Sequence, residues 1–299
     1  MEDFWNFFSN DWPIQLTQGE GHTSLTKFNL NKQIIYLKNE TENPNGSFKD
    51  RSLAYQLSYY LNQKINQFVI SSSGNAAISA ASYLSNQNAD LHIFVANTID
   101  LIKLHKLEKF SSNKIVIHQT AQPKSNAIKF AKANNCQNLR GSQDDQAIPG
   151  FKTIALELLQ QLPEIDAIFI PCSSGTSTIA IHQAFTEHKK KIAIHIAQTT
   201  KINSIAKYFD KNFIPSSTNL ANAISDRIAL RQNAVTQAII SSKGFGWVIS
   251  DQELFNAETV AAEFLGENYS YNSLLSLAAF IKSQTYFTYK FPVLLFSGL

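Results

Sequence analysis

Three short stretches of this sequence place reactive or anion-binding side chains at the starts of helical patterns. The first reads Glu42-Asn43-Pro44-Asn45-Gly46-Ser47-Phe48-Lys49-Asp50-Arg51, a turn-rich segment running into a helix. The positive end of a helix dipole disfavours a charged ammonium; Arg51 acts on Lys49 in the same sense and Asp50 opposes it. An amine held neutral can attack a carbonyl and form a Schiff base. Taken alone, Lys49 reads more simply as a solvated lysine beside an Asp/Arg pair. The second stretch is Ser71-Ser72-Ser73-Gly74-Asn75-Ala76-Ala77, and the third is Pro171-Cys172-Ser173-Ser174-Gly175-Thr176-Ser177-Thr178. Hydroxyls, a glycine and backbone N–H groups at a helix start make a cradle for a carboxylate or a phosphate. The plainer account of the second stretch is a serine cap. Two cradles and one helix-start lysine together suit a phosphorylated aldehyde cofactor and the carboxylate of an amino acid.

The elements that hold these stretches alternate. Short β-rich runs fall at 33–38, 67–71, 91–96, 114–118, 167–172, 191–197 and 292–296, several of them almost wholly apolar. Continuous apolar runs are expected of strands covered on both faces. Helical patterns lie between them at 52–62, 76–84, 124–133, 151–162, 178–185, 251–265 and 273–283, with Asp251 as the expected cap of the sixth. Repeated strand–helix units predict an α/β fold with mostly parallel sheets, whose ligands sit at the carboxyl ends of strands.

Composition narrows the function. The chain has 299 residues, 44% apolar and 16% charged, which excludes a disordered protein. The net charge of +3 gives no reason to expect nucleic acid or an anionic membrane as partner. Arginine is scarce, at Arg51, Arg140, Arg227 and Arg231. Cys136 and Cys172 are too far apart for a paired motif, so neither a disulfide framework nor a cysteine zinc site is expected. No metal-binding spacing occurs among the histidines, and His195 reads as a core or edge residue of its strand. Lys189-Lys190-Lys191 reads as a solvated turn, and Asp144-Asp145 as exposed loop carboxylates. Met1-Glu2-Asp3-Phe4 shows no basic leader and no apolar run approaches a membrane span, so a cytoplasmic location is expected.

The three stretches, with others in the same order, resemble the fold-type II pyridoxal-phosphate enzymes, the tryptophan synthase β family, and among them threonine synthases most. Gly19-Glu20-Gly21-His22-Thr23-Ser24-Leu25 is similar to the motif G-E-G-N-T-P-L, and the Lys49 segment to N-P-T-G-S-F-K-D-R. Ser72-Ser73-Gly74-Asn75-Ala76-Ala77 is similar to S-S-G-N-A-A, Gly150-Phe151-Lys152-Thr153 to E-G-F-K-T, and Phe296-Ser297-Gly298 to a terminal L-T-G. The resemblance implies two α/β domains with the active site in the cleft between them: a larger cofactor domain of 1–52 and 142–299, and a smaller mobile domain of 53–141. It implies pyridoxal 5'-phosphate as cofactor, Lys49 as its Schiff-base partner and proton carrier, and Asn75 at the ring oxygen. Ser173, Ser174, Gly175, Thr176 and Ser177 would take the cofactor phosphate, and Ser297 would face the ring nitrogen. Ser72, Ser73, Asn75 and Ala76 would receive the substrate carboxylate. Phe48 reads as a core residue.

The implied activity is a lyase reaction, elimination or replacement on a small L-amino acid, with O-phosphohomoserine converted to threonine and phosphate. Serine/threonine dehydratase or cysteine-synthase-like chemistry is the alternative, as is a paralogue that binds cofactor with impaired turnover. A homodimer is implied by the family alone. Two departures stand out: the phosphate segment is poor in glycine, and Ala147-Ile148-Pro149 stands where the family commonly has a basic residue and a glutamate. Arg140 is a candidate replacement for that cation.

Overall fold

The structure, a computed structural model, describes residues 4–9, 11–30, 32–266 and 269–298. The leader reading at Met1–Asp3 lies outside them. In chain order the strands are β1 (Leu25–Leu30), β2 (Gln33–Asn39), β3 (Gln67–Ser71), β4 (Asp90–Ala96), β5 (Ile115–Thr120), β6 (Gln137–Asn138), β7 (Ala167–Pro171), β8 (Ala193–Thr199), β9 (Gly246–Ile249) and β10 (Pro292–Phe296). The helices are α1 (Lys49–Asn62), α2 (Asn75–Leu84), α3 (Leu101–Glu108), α4 (Pro123–Asn134), α5 (Ile148–Gln161), α6 (Thr176–Glu187), α7 (Gln232–Ser241), α8 (Asp251–Phe264) and α9 (Tyr271–Ser283). By packing, the chain divides into Met1–Glu20 with Asn43–Gly150, and Gly21–Glu42 with Phe151–Leu299.

The first unit is built on a parallel sheet of order β5-β4-β3-β6. Its core joins Phe68, Ile70, Leu91 and Ile93 of the sheet to Leu53 and Leu57 of α1 and Ala77, Ala80 and Ala81 of α2. α1 is buried on nearly every side, including Asp50, Arg51, Ser52, Gln56 and Ser58. Its polar groups must therefore find partners inside the protein. Asp144, expected as an exposed loop carboxylate, is one of those partners. It is buried and accepts from Gln56 Nε2, from the Tyr60 hydroxyl at 2.9 Å and from the Gln146 N–H at 2.9 Å. Asp145 beside it is exposed as expected.

The second unit carries the sheet β1-β2-β10-β7-β8-β9, in which β1 runs antiparallel to β2 and every other pair is parallel. β7, β8 and β10 are buried along their whole length, which is what their unbroken apolar runs require. His195 of β8 is fully buried between Phe169 and Trp247. The Trp247 indole N–H can only donate, and it reaches Nδ1 of His195 at 3.1 Å. The ring is thus neutral with its proton on Nε2, which donates to the Tyr289 hydroxyl at 2.7 Å. Burial pushes its pKa down to about 3.

Lys38 of β2 is also fully buried. Its ammonium donates to Glu157 Oε2 (2.7 Å), the Thr23 carbonyl (2.7 Å) and Gln161 Oε1 (2.9 Å), while Glu157 Oε1 accepts the His22 N–H at 2.9 Å. All three ammonium protons are used, so the pair ties the Gly21-His22-Thr23 segment to α5 within this unit. Ser250, not Asp251, caps α8: its hydroxyl accepts the Glu253 N–H and the Glu253 carboxylate accepts the Ser250 N–H. Asp251 is the first helical residue and accepts from Thr218. The lysine run 189–191 is exposed as expected. Among the described residues, no helix is long and apolar enough to cross a membrane.

Candidate active site

In the first unit, Lys49 is the first residue of α1, as its position in the sequence required. The turn before it is held from within. The backbone N–H and side-chain amide of Asn45 donate to the two oxygens of Asp50, at 2.6 and 2.9 Å. The Gly46 N–H reaches the Asn43 carbonyl at 2.7 Å, and the Lys49 N–H reaches Ser47 Oγ at 3.3 Å. Asp50 is fully buried in the first helical turn, where the dipole favours a carboxylate. Its acidity thus organises the loop that presents Lys49. Phe48 is half-buried, not a core residue; the Lys49 ammonium lies 4.8 Å from its ring centroid, in cation–π range.

Gly150 fixes the other side of this turn. A Cβ there would lie 2.0 Å from the Arg51 carbonyl oxygen, so the start of α5 meets the first turn of α1 backbone to backbone. The glycine of the Gly150-Phe151-Lys152-Thr153 motif is a packing requirement. Ala147 is buried at the same contact, its carbonyl accepting from Ser52 Oγ at 3.0 Å. No cationic side chain stands at 147–149. Lys152 pairs at 2.6 Å with the exposed Glu187.

The segment 71–76 is half-buried at the carboxyl end of β3. The serine-cap account fails here. The N-cap of α2 is Gly74, in an extended conformation and with no side chain of its own, and Ser72 Oγ accepts from the Gly74 N–H at 3.3 Å. Ser72, Ser73, Asn75 and Ala76 stand at this helix start, whose dipole and backbone N–H groups suit an anion such as a carboxylate.

In the second unit, the segment between β7 and α6 repeats that device. Gly175 is the N-cap of α6 at φ +87°, and a Cβ there would lie 2.3 Å from Val235 Cγ2. Ser174 Oγ and Thr176 Oγ1 are 3.0 Å apart, and Thr176 and Ser177 are buried. Cys172, wholly buried, has its thiol pushed up to about 12 by desolvation, so it takes no part as a thiolate near neutral pH. Ser173 behaves differently from its neighbours. Its hydroxyl donates to Asp226 Oδ2 at 3.0 Å and accepts the Ser225 and Asp226 N–H groups at 3.1 and 3.2 Å. No spacing in the sequence pointed to Asp226.

Ser297 follows β10 and is nearly buried. The backbone beside it is anchored by α9. The Gly298 carbonyl accepts from Ser270 Oγ at 2.6 Å and Ser273 Oγ at 2.7 Å. These two serines are the N-cap and a first-turn residue of α9.

The donor set fits pyridoxal phosphate. A helix start with a left-handed glycine and three hydroxyls suits its phosphate, and the neutral Ser297 hydroxyl suits its ring nitrogen. Lys49, Ser72, Ser73, Asn75 and Ala76 belong to the first unit; Ser173–Ser177 and Ser297 belong to the second.

The pattern of the Pyridoxal-phosphate dependent enzyme family matches residues 16–298, and the chain belongs to that family, with the fold-type II architecture. Its cofactor is pyridoxal phosphate. Threonine synthase from Bacillus sp. (strain ULM1) is 27% identical over 274 residues, 88% of this chain and 77% of that one. The structure of maize serine racemase superimposes with a TM-score of 0.79 at 20% identity, covering 92% of this chain and 87% of that one. That of threonine deaminase isoform 2 from Solanum lycopersicum gives 0.75 at 17% identity, covering 92% and 78%.

Proposed function

We propose that this chain is a lyase that carries out elimination and replacement on a small L-amino acid, in the manner of a threonine synthase, converting O-phosphohomoserine and water to threonine and phosphate. The observation that carries this reading is the placement of Lys49. It opens α1 from a turn clamped by Asp50, in a motif shared with threonine synthases, to one of which the chain is 27% identical over 88% of its length.

The cofactor, when bound, supplies an electron sink for the carbanion formed at the substrate α-carbon. Lys49 would hold the cofactor and take the proton from the substrate α-carbon. Asn75 reaches the ring oxygen, and Ser72, Ser73 and Ala76 fix the substrate carboxylate at the start of α2. Ser174, Gly175, Thr176 and Ser177 hold the cofactor phosphate. Ser297, a hydroxyl in place of a carboxylate, leaves the ring nitrogen without a full negative partner, which favours elimination and replacement over transamination. Movement of a small domain at 53–141 over the substrate, and a homodimer, belong to this proposal.

A second reading has its own observation. Ala147-Ile148-Pro149 offers no cation, and Ala147 is packed against α1. A substrate without a phosphate, as for a serine/threonine dehydratase, needs none.

The test is the purified protein given O-phosphohomoserine, serine and threonine in turn, with the visible absorbance of bound cofactor followed throughout. Threonine and inorganic phosphate from O-phosphohomoserine are expected, with Lys49→Ala losing both the absorbance band and turnover. Pyruvate from serine or 2-oxobutyrate from threonine, without phosphate release, overturns the first reading in favour of the second.

A further inference from the structure

His92 of β4 and His118 of β5 stand 26 residues apart in the chain, so no spacing in the sequence marks them as a pair, yet their rings meet. Parallel pairing sets Phe94 opposite His118, which puts His92, Phe94 and His118 on one face of the sheet. Nδ1 of His92 lies 2.9 Å from Nε2 of His118. Aromatic packing holds both rings: His118 stacks on Phe94 with centroids 4.5 Å apart, and His92 meets Phe130 of α4 at 4.3 Å. Both histidines are half-buried, and β5 is the outermost strand of its sheet, so water reaches the pair. Among the described residues, neither Nε2 of His92 nor Nδ1 of His118 has a hydrogen-bond partner, so nothing in the protein fixes either ring in one tautomer.

We propose that His92 and His118 form a two-imidazole site for a divalent late transition-metal ion, Cu2+ above all, with water completing its coordination. The ion takes the place of the proton shared between the rings. The nitrogen that donates this proton becomes a lone-pair donor when the proton moves to the other nitrogen of the same ring, so both imidazoles stay neutral and no net proton is released. Desolvation lowers the pKa of both rings, which keeps them neutral near pH 7, and the Asp90 carboxylate on the same face of β4 favours a positive charge at His92. The separation of the nitrogens selects the ion. Two nitrogens bound at about 2.0–2.1 Å on a right angle lie about 2.9 Å apart, whereas a tetrahedral ion holds them about 3.3–3.4 Å apart. A tetragonal Cu2+ or Ni2+ therefore fits without parting the strands, and Cu2+ is the tighter of the two at a nitrogen site. Chelation turns each lone pair from the line joining the nitrogens towards the ion, a rotation about Cβ–Cγ in a torsion whose well is broad. Among the described residues no third His, Cys, Asp or Glu completes a metal-holding group, so the remaining positions fall to water. The site lies wholly within the first unit and does not depend on the reaction proposed above.

The experiment is titration of the full chain, stripped of metal with EDTA and dialysed, with Cu2+ followed by EPR and with Ni2+ followed by the urea midpoint. Ni2+ is used for unfolding because it does not oxidise the thiols of Cys136 and Cys172. Wild type is expected to show Cu2+ coupled to two imidazole nitrogens. Its urea midpoint should rise with Ni2+, since the two ligands meet only in the folded sheet. His92→Gln and His118→Gln should each bind Cu2+ at least about tenfold more weakly, because the second bond of a chelate forms at high effective concentration, and each should lose the rise in midpoint. His105→Gln, which alters an exposed ring on α3, should bind as wild type does. A dissociation constant for Cu2+ unchanged in both His92→Gln and His118→Gln, or a site lost in His105→Gln, overturns the proposal, as does a wild-type midpoint that Ni2+ leaves in place. The metal-free urea midpoint of each variant shows that it folds; if His92→Gln does not, His118→Gln at the sheet edge decides.

Discussion

Gly175 is the position at which the phosphate segment is most exposed to a single methyl group. It sits at φ +87°, where any other L-residue pays about 1–2 kcal/mol for the clash of Cβ with the backbone. An added Cβ would also lie 2.3 Å from Val235 Cγ2. Val235 lies in α7 and is fully buried, and a β-branched residue in a helix has one strongly preferred χ1, so its methyl cannot swing aside cheaply. Overpacking of this kind costs about 1–3 kcal/mol. Gly175→Ala is therefore expected to lose about 2–5 kcal/mol, read as a lower urea midpoint with the slope unchanged. The two contributions separate in a double-mutant cycle. Val235→Ala removes the obstructing methyl and costs about 2 kcal/mol by itself through lost burial. Combined with Gly175→Ala it should show a favourable coupling of about 1–3 kcal/mol, leaving the backbone penalty behind. A Gly175→Ala protein as stable as wild type, or a cycle with no coupling, refutes the assignment of Gly175 to both the left-handed turn and the contact with α7.

Two further outcomes test the second unit by itself. Lys38→Met takes the ammonium away from the buried Glu157 carboxylate and should cost about 3–5 kcal/mol in urea unfolding, largely recovered by adding Glu157→Gln; a loss below about 1 kcal/mol contradicts the buried pair. His195 is held neutral, with its pKa near 3 against about 6.5 in the unfolded chain. The unfolded state thus binds the extra proton between those values, and stability falls as pH drops from about 6.5 towards 3, by about 1.4 kcal/mol per pH unit. The His195→Gln protein should lack that share of the slope when unfolding is measured from pH 7 to pH 4; identical slopes refute it.

The parts of the fold that the sequence discloses are those where burial is uniform. β7, β8 and β10 are covered on both faces, so each reads as an apolar run whatever surrounds it. The missed elements are those whose pattern is diluted. β1 (LTKFNL) is exposed at alternate and adjacent positions, β9 is four residues long, and α3 buries only Leu107. The cap of α8 was legible as Ser250 with Glu253 three residues on, but Asp251 next to it offers an equally good side chain, and only the extended backbone of Ser250 decides between them. Asp144 and Asp145 are likewise indistinguishable in sequence. One turns into the polar side of α1 and the other out to solvent, a distinction made by residues more than 80 positions away.

The phosphate segment shows the same limit more sharply. Its shortage of glycine departs from the pattern of the family it resembles. Yet only Gly175 of residues 171–178 has a positive φ, so one glycine meets the conformational demand, and the serines and threonines around it occupy backbone geometry that any residue adopts. One of those serines, Ser173, is bonded to a carboxylate 53 residues further along the chain, in irregular backbone with neither strand nor helix period to mark it. Glycine content reports how closely a backbone can approach an anion. It does not report which of the hydroxyls around that backbone the rest of the chain has already engaged, as Asp226 engages Ser173.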